Sequence, residues 1–230
     1  MHMRPTYSSR PARPLSPHHQ QPLTQSEFYE ATWEVVNSPS TYATKWGPIE
    51  DWDTSGVPSF FRAFTTFRNE TGEYAYNGNS KAATFNGDIS KWDTSSATSM
   101  VATFNKAAAF NGDVSAWITS SVKSMGRTFS YATSFTGTGV DLWNINKVKD
   151  MRLIFGDADA LTSCNKRKIA DAWKSNAAAG PSVDFPAWDA DKCPVSPLGA
   201  STDHLITISL SSTYCPLARV WLGFMELCCM

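Results

Sequence analysis

The sequence predicts a repeat solenoid closed by a helical cap at each end, and three observations carry that expectation. A stretch of 25 residues, Phe85–Ala109 (FNGDISKWDTSSATSMVATFNKAAA), returns at once as Phe110–Ser134 (FNGDVSAWITSSVKSMGRTFSYATS) and a third time from Phe135 (FTGTGVDLWNINKVKDMRLIFGDADA). Within each copy the apolar positions keep fixed distances from a tryptophan. On either side of the copies lies a segment of helical periodicity with its own capping residue. A repeat of this length is one turn of a stack, in which neighbouring coils bury apolar residues that no coil could bury alone.

The coils are best read from their tryptophans, Trp52, Trp92, Trp117 and Trp143. Three residues before each stands Ile49, Ile89, Val114 or Val140; five after stands Val57, Ala97, Val122 or Val148. Eight after comes Phe60, Met100, Met125 or Met151, and twelve after comes Phe64, Phe104, Phe129 or Phe155. Ser, Thr, Asp, Lys and Asn fill most of the places between. Each recurring apolar position is expected to form a ladder from coil to coil. The nine Trp and thirteen Phe are then core residues; a carbohydrate-stacking platform is the competing reading, which their internal repetition opposes.

Corners separate the coils. Asn86-Gly87 and Asn111-Gly112 suit positive φ angles, and Gly47 holds the same place before Ile49. In the third copy the corner is Thr136-Gly137-Thr138-Gly139, one residue longer, so Trp117 and Trp143 are 26 apart. Trp52 and Trp92 are 40 apart, and the excess falls at Asn69–Ser80 (NETGEYAYNGNS), which reads as a loop extruded from the first coil.

The segment FNGDIS-x-W-D-T-S-S-x-x-S-M-x-x-T-F and its copies resemble the repeats of BspA-like leucine-rich-repeat surface proteins. The resemblance runs over Ile49–Leu161 and extends through LTSCNKRKIADAWKS at Leu161–Ser175. It implies a β-rich, leucine-rich-repeat-like solenoid with short helical segments, displayed at the cell surface or secreted, and used for adhesion or protein interaction. It implies no particular ligand. A cytoplasmic location is the alternative, because Met1–Pro22 contains no apolar run resembling a signal peptide.

The flanks follow in order. Residues 1–22 carry five prolines and three arginines without an acid and read as a disordered tail. In residues 23–48, Thr24–Ser38 reads as a helix with a Thr24/Glu27 capping box, a face of Phe28, Ala31 and Val35, and a stop at Ser38-Pro39. It is assigned the N-terminal cap over coils spanning 49–161. In residues 162–194, Asn165–Asn176 reads as the C-terminal cap helix, begun by Thr162 or Ser163, striped by Ile169, Ala172, Trp173 and Ala177, and stopped by Gly180-Pro181. Its Lys166-Arg167-Lys168 is read as a solvated face, with a basic docking patch as the alternative. Residues 195–230 do not resemble the repeats and are expected to be a poorly ordered extension; Leu205–Leu210 has strand character. Val220–Met225 is too short to span a bilayer, which needs about 20 apolar residues.

Chemistry is sparse. The sequence has no H-E-x-x-H, G-x-S-x-G or P-loop signature, and no cofactor is expected. Three of four histidines fall in the N-terminal tail, and Cys164, Cys193, Cys215, Cys228 and Cys229 lack zinc-site spacing. Cys164 and Cys193 flank the second cap helix while the repeats contain no cysteine, so a disulfide between them is expected. Asp88 and Asp113 recur as turn residues accepting backbone N–H bonds, or as stacked calcium ligands. Asn69-Glu70-Thr71 is a glycosylation sequon. The net charge of −1 opposes wholesale binding to nucleic acid or an acidic membrane.

Function is read by comparing coils. Positions that recur are scaffold, and those that vary are free for recognition. Six and seven residues after each Trp stand Pro58-Ser59, Thr98-Ser99, Lys123-Ser124 and Lys149-Asp150, expected to face solvent in one column. Thr98, Ser99, Lys123, Ser124, Lys149 and Asp150 are thus the candidate binding face of a monomeric, non-catalytic module for a protein or glycan ligand. An enzyme with its site in the 69–80 loop or the caps is the alternative. A row of Thr54, Thr94 and Thr119 matching ice is a third reading, broken by Ile145.

Overall fold

The computed structural model describes residues 21–176 together with Trp188 and Cys193. The chain divides into a unit of Met1–Pro194 and a second of Val195–Met230; every described residue lies in the first. The expectations for the tail before residue 21, for Ala177 and Gly180-Pro181, and for 195–230 lie outside the described residues.

Four coils stack in register. Trp52 lies flat on Trp92, centroids 5.8 Å apart, and Trp117 on Trp143 at 6.1 Å; Phe60 sits 5.9 and 5.8 Å from Trp92 and Trp117 between those pairs. Each indole N–H after the first donates to the coil behind, to the residue three before that coil's Trp: Trp92 to the Ile49 carbonyl (2.9 Å), Trp117 to Ile89 (3.1 Å) and Trp143 to Val114 (2.9 Å). A buried Trp thereby satisfies its one polar atom and also sets the register of the stack. The Thr row points inward. Thr54, Thr94 and Thr119 are buried, and each hydroxyl donates to the next coil's carbonyl, at Asp93, Ile118 and Asn144. These threonines join coils and are not on the surface, which removes the ice-matching reading.

The phenylalanines form two interleaved columns. Phe64, Phe104, Phe129 and Phe155 stack at 5.5–5.8 Å. The residue that opens each repeat, Phe85, Phe110 or Phe135, lies nearly parallel to the ring of the coil before at 3.7, 3.8 and 4.0 Å. This second column is absent from the expected ladders, although its 25-residue recurrence was visible.

No β-strand occurs among the described residues, which overturns the β-rich, leucine-rich-repeat-like solenoid. The reason lies in where alternate amides go. The N–H groups of Met100, Ala102, Phe104 and Lys106 bond to the next coil, at Ser124, Gly126, Thr128 and Ser130. Those between turn back within their own coil, Thr103 to Met100 and Asn105 to Ala102. The backbone is therefore a chain of tight turns, each closed by a bond from residue i+3 to residue i, and cannot extend. What remains of a ladder is a single parallel bridge per junction, Ser59 to Ser99, Ser99 to Ser124 and Ser124 to Asp150.

The corners also differ from expectation. Gly47, Gly137 and Gly139 have positive φ (73, 83 and 84°), but neither Gly87 nor Gly112 does. At those two the constraint is space: a Cβ would stand 3.0 Å from the Phe85 ring and 2.9 Å from the Phe110 ring. The accompanying asparagines link corners instead, Asn86 accepting the Asn111 N–H and Asn111 accepting the Thr136 N–H.

Helix α1, Gln25–Asn37, begins at the complete Thr24/Glu27 capping box and buries Phe28, Ala31, Thr32 and Val36; Val36, not Val35, completes the face. Phe28 meets Phe60 at 5.0 Å and Trp92 at 5.6 Å. The Gln25 amide both accepts from the Ser59 N–H and donates to the Ser59 carbonyl (3.0 and 2.9 Å). It occupies the place a preceding coil would take and so blocks an open backbone edge. A short helix α2, Tyr42–Trp46, precedes the first coil. At the other end α3, Ser163–Trp173, starts at Thr162, whose hydroxyl accepts the Asn165 N–H. It ends earlier than expected. Ile169, Ala170 and Trp173 are buried while Ala172 is exposed, so Ala170 takes the inward place. Trp173 and Trp188 lie 6.0 and 5.7 Å from Phe155 and cover the last rung. Cys164 and Cys193 are joined by a disulfide.

The extruded loop folds back instead of projecting. Arg68 pairs with Tyr74 in an antiparallel bridge, Asn79 receives a hydrogen bond from Asn37, and Gly72 (φ 86°) packs on the Tyr29 ring. Arg68 is fully buried. Its guanidinium donates to the Tyr29 carbonyl and Thr32 hydroxyl of α1 (3.1 and 3.0 Å); among the described residues it has no carboxylate partner, and its Nε and Nη1 lack acceptors. Burial drops its pKa to about 10. A cation with a depressed folded-state pKa destabilises the fold below that value and relieves it as pH rises from about 10 towards the unfolded pKa. At neutral pH the penalty is present in full. Arg68→Met, which keeps the volume and removes the charge, is therefore expected to stabilise by about 1–3 kcal/mol, read as a higher urea midpoint. A lower midpoint would show that the two hydrogen bonds to α1 outweigh desolvation.

Candidate binding groove

Seven non-glycine residues of the coils adopt a left-handed backbone, with φ between 54 and 61°. Arg62, Ala102, Arg127 and Leu153 stand ten after their tryptophans; Lys106, Tyr131 and Asp157 stand fourteen after. Both are third residues of the tight turns, where a type II geometry requires positive φ. For a side chain other than glycine this conformation costs roughly 1–2 kcal/mol. The N–H groups of Arg62, Ala102, Lys106, Arg127 and Tyr131 bond to the next coil and hold it there, while Leu153 and Asp157 stand in the last coil.

All seven line one groove of about 580 Å³. Its other walls include Phe61 and Val101 from the coils and Phe67 and Tyr74 at the extruded loop. Tyr74, Tyr131 and Leu153 are 61, 47 and 52% exposed, so the groove presents large apolar surface to solvent. The cations lie across the rings. Arg62 is 4.5 Å from the Phe61 centroid and 5.1 Å from that of Tyr74; Lys106 is 4.6 Å from Phe67 and 5.5 Å from Tyr131. Asp157 raises the Tyr131 phenol above its ordinary pKa, first by a hydrogen bond and then by charge. Two of the neutral polar groups are already engaged: the Thr65 hydroxyl accepts from Phe67 and donates to Asn105, whose amide donates to the Ser130 carbonyl.

Thr98, Ser99, Lys123, Ser124, Lys149 and Asp150 stand side by side across the coil junctions. Thr98, Lys123 and Lys149 are exposed, and their N–H groups run from coil to coil, to Pro58, Thr98 and Lys123, each at 2.8 Å. Ser99, Ser124 and Asp150 are half-buried beside that seam. Asp150 binds Arg152 (3.0 Å), not Lys149, and this contact lowers its pKa. Asp88 and Asp113 accept the Ser90 and Ser115 N–H groups at 3.0 and 2.8 Å, as turn residues do. Among the described residues no cluster of three or more His, Cys, Asp or Glu is placed to hold a metal. Asn69 is half-buried, and its Oδ1 accepts from the Thr71 N–H and hydroxyl and the Glu73 N–H. In the basic run of α3, Arg167 pairs with Asp171 at 2.8 Å. No helix among the described residues is long and apolar enough to cross a membrane.

Sequence reasoning missed the groove. The signal was present: the tenth and fourteenth positions after each Trp vary between coils as freely as the sixth. Nothing in Arg62, Lys106 or Tyr131 announces a left-handed backbone.

The stack of turn-built coils between two helical ends defines a repeat protein. Residues 37–169, from the end of α1 into α3, match the family described as Mycoplasma protein of unknown function, DUF285, and the chain belongs to that family. No curated protein and no solved structure matches it.

Proposed function

We propose that the chain is a non-catalytic recognition module, displayed outside the cell, that binds a partner through the groove. The observation that carries this reading is that seven left-handed positions bear side chains where glycine would be less strained, and every one of them opens into the same cleft. Strain of this kind, held in place by its surroundings, gathers where side chains have work beyond folding. Cations and aromatic rings on a stacked scaffold are the residues that dominate binding energy at interfaces. The disulfide at the C-terminal cap fits an oxidising compartment, in keeping with the adhesive surface role that the BspA-like resemblance implies.

Arg127→Gly combined with Tyr131→Gly tests the reading. Relief of strain offsets the greater flexibility of unfolded glycine, so the melting temperature should stay level or rise slightly. Binding to arrays of extracellular proteins and glycans should be lost. A marked fall in melting temperature would mean that the two side chains serve stability and would remove the reason for assigning the groove.

A further inference from the structure

Taking the groove as the recognition site, we infer that its partner is an acidic stretch of polypeptide with apolar side chains spaced between its carboxylates. Charge is the first argument. Arg62, Lys106 and Arg127 face a single lining carboxylate, Asp157, in a chain whose net charge is −1. Among the described residues none of the three cations makes an ion pair. Asp157, engaged with the neutral Tyr131 phenol, keeps its charge, and Asp150 acts on Arg127 from outside the lining, so the lining holds three cations against one carboxylate. Arg62 and Lys106 are held over aromatic faces at 4.5 and 4.6 Å, and so are partly ordered before a partner arrives. That lowers the entropy lost on binding.

The second argument separates a polypeptide from a glycan. Sugar hydroxyls taken from water need acceptors for their O–H groups, which Lys and Arg cannot supply, and leaving them unmatched is costly. The groove supplies few: Thr65 and Asn105 are committed internally and Asp157 is taken by Tyr131, leaving the hydroxyls of Tyr74 and Ser130. What it offers besides cations is apolar, with Leu153 half-exposed, Val101 and Ala102 on the wall, and the rings of Phe61 and Tyr74. Leucine or phenylalanine side chains fill such surface, while neighbouring carboxylates meet the cations.

The test uses the intact chain and a fluorescent synthetic peptide in which glutamates alternate with leucine and phenylalanine. Its controls are the same peptide with glutamine in place of glutamate, and heparin as a sulfated polysaccharide. The acidic peptide should bind, weaken as salt shortens the Debye length, and bind about ten- to a hundredfold more tightly than the glutamine peptide. Arg62→Gly with Lys106→Gly and Arg127→Gly should remove that advantage at unchanged melting temperature. Lys123→Ala with Lys149→Ala, in the neighbouring column, should leave both binding and melting temperature as they were. If heparin binds through the three groove cations and the peptide does not, the groove stands as the site but the partner is a polyanionic glycan. If the peptide binds equally well to the triple variant, the groove itself is not the site. If neither probe binds, both the partner class and the site fail.

Discussion

Trp117→Ala is expected to destabilise the protein by about 3–5 kcal/mol, a fall in melting temperature of roughly 6–20 °C for a chain of this size. Three losses combine. The ring leaves its stack on Trp143 at 6.1 Å and its contacts with Phe60 and Phe104 at 5.8 and 5.9 Å. A cavity opens at the centre of the stack, where closing it would require two coils to shift together. The Ile89 carbonyl loses one of its two donors and keeps the Trp92 N–H at 3.2 Å, and the loss of one such hydrogen bond costs about 0.5–1.5 kcal/mol. Trp117→Phe separates these terms: it keeps most of the packing and removes only the N–H, so it should lose about a third as much. Because each coil touches only its neighbours, hydrogen exchange in Trp117→Ala should quicken at Lys123 and Met125, whose amides bond to Thr98 and Asp150, before it quickens in α1. A melting temperature equal to the parent's would remove Trp117 from the core and with it the register that the indole bonds impose.

That register was legible in the sequence because large residues repeat for one reason. The Trp, Met and Phe positions recur since each must fill the space over its copy, and a ladder of identical rings has no other solution. The backbone between them was not legible. A run such as Ser99–Lys106 has residues compatible with a strand, and only the alternation of bonds, one amide to the next coil and one to its own turn, makes it a chain of tight turns. The left-handed residues were hidden for the same reason. Asn86-Gly87 and Asn111-Gly112 advertise positive φ and do not adopt it, while Arg127 and Tyr131 adopt it without advertisement. In the first case a phenylalanine ring required the small residue; in the second, bonds to the next coil enforced the conformation against local preference. The groove inherits this invisibility, since its residues share a surface only once the turns are known. The helical ends were legible from capping chemistry, with Thr24/Glu27 and Thr162 in place. Their inward faces shifted by single residues, Val36 for Val35 and Ala170 for Ala172, because packing on a fixed stack, not periodicity, selects the buried side chain.

Removing the disulfide should have the second large effect. Cys164 and Cys193 lie 29 residues apart, and closing a loop of that size restrains the unfolded chain by about 3 kcal/mol. Cys164→Ser with Cys193→Ser should therefore lower stability by about that amount. The parent in dithiothreitol should melt with the double variant, since reduction and substitution remove the same constraint. The consequences are local at first. Cys164 stands in the first turn of α3, and α3 brings Trp173 onto Phe155, the last ring of its column; Trp188, within the closed loop, lies on the same ring. Releasing the loop loosens that cover and exposes the terminal rung, while Phe104 and Phe110 remain stacked within the coils. Protease cleavage after reduction should thus begin C-terminal to Ser163 and leave the coils intact. An unchanged melting temperature on reduction, with both thiols then open to alkylation, would show that packing of Trp173 alone holds the cap. Thiols already open to alkylation before any reductant, in protein from its natural source, would place the chain in a reducing compartment and count against display outside the cell.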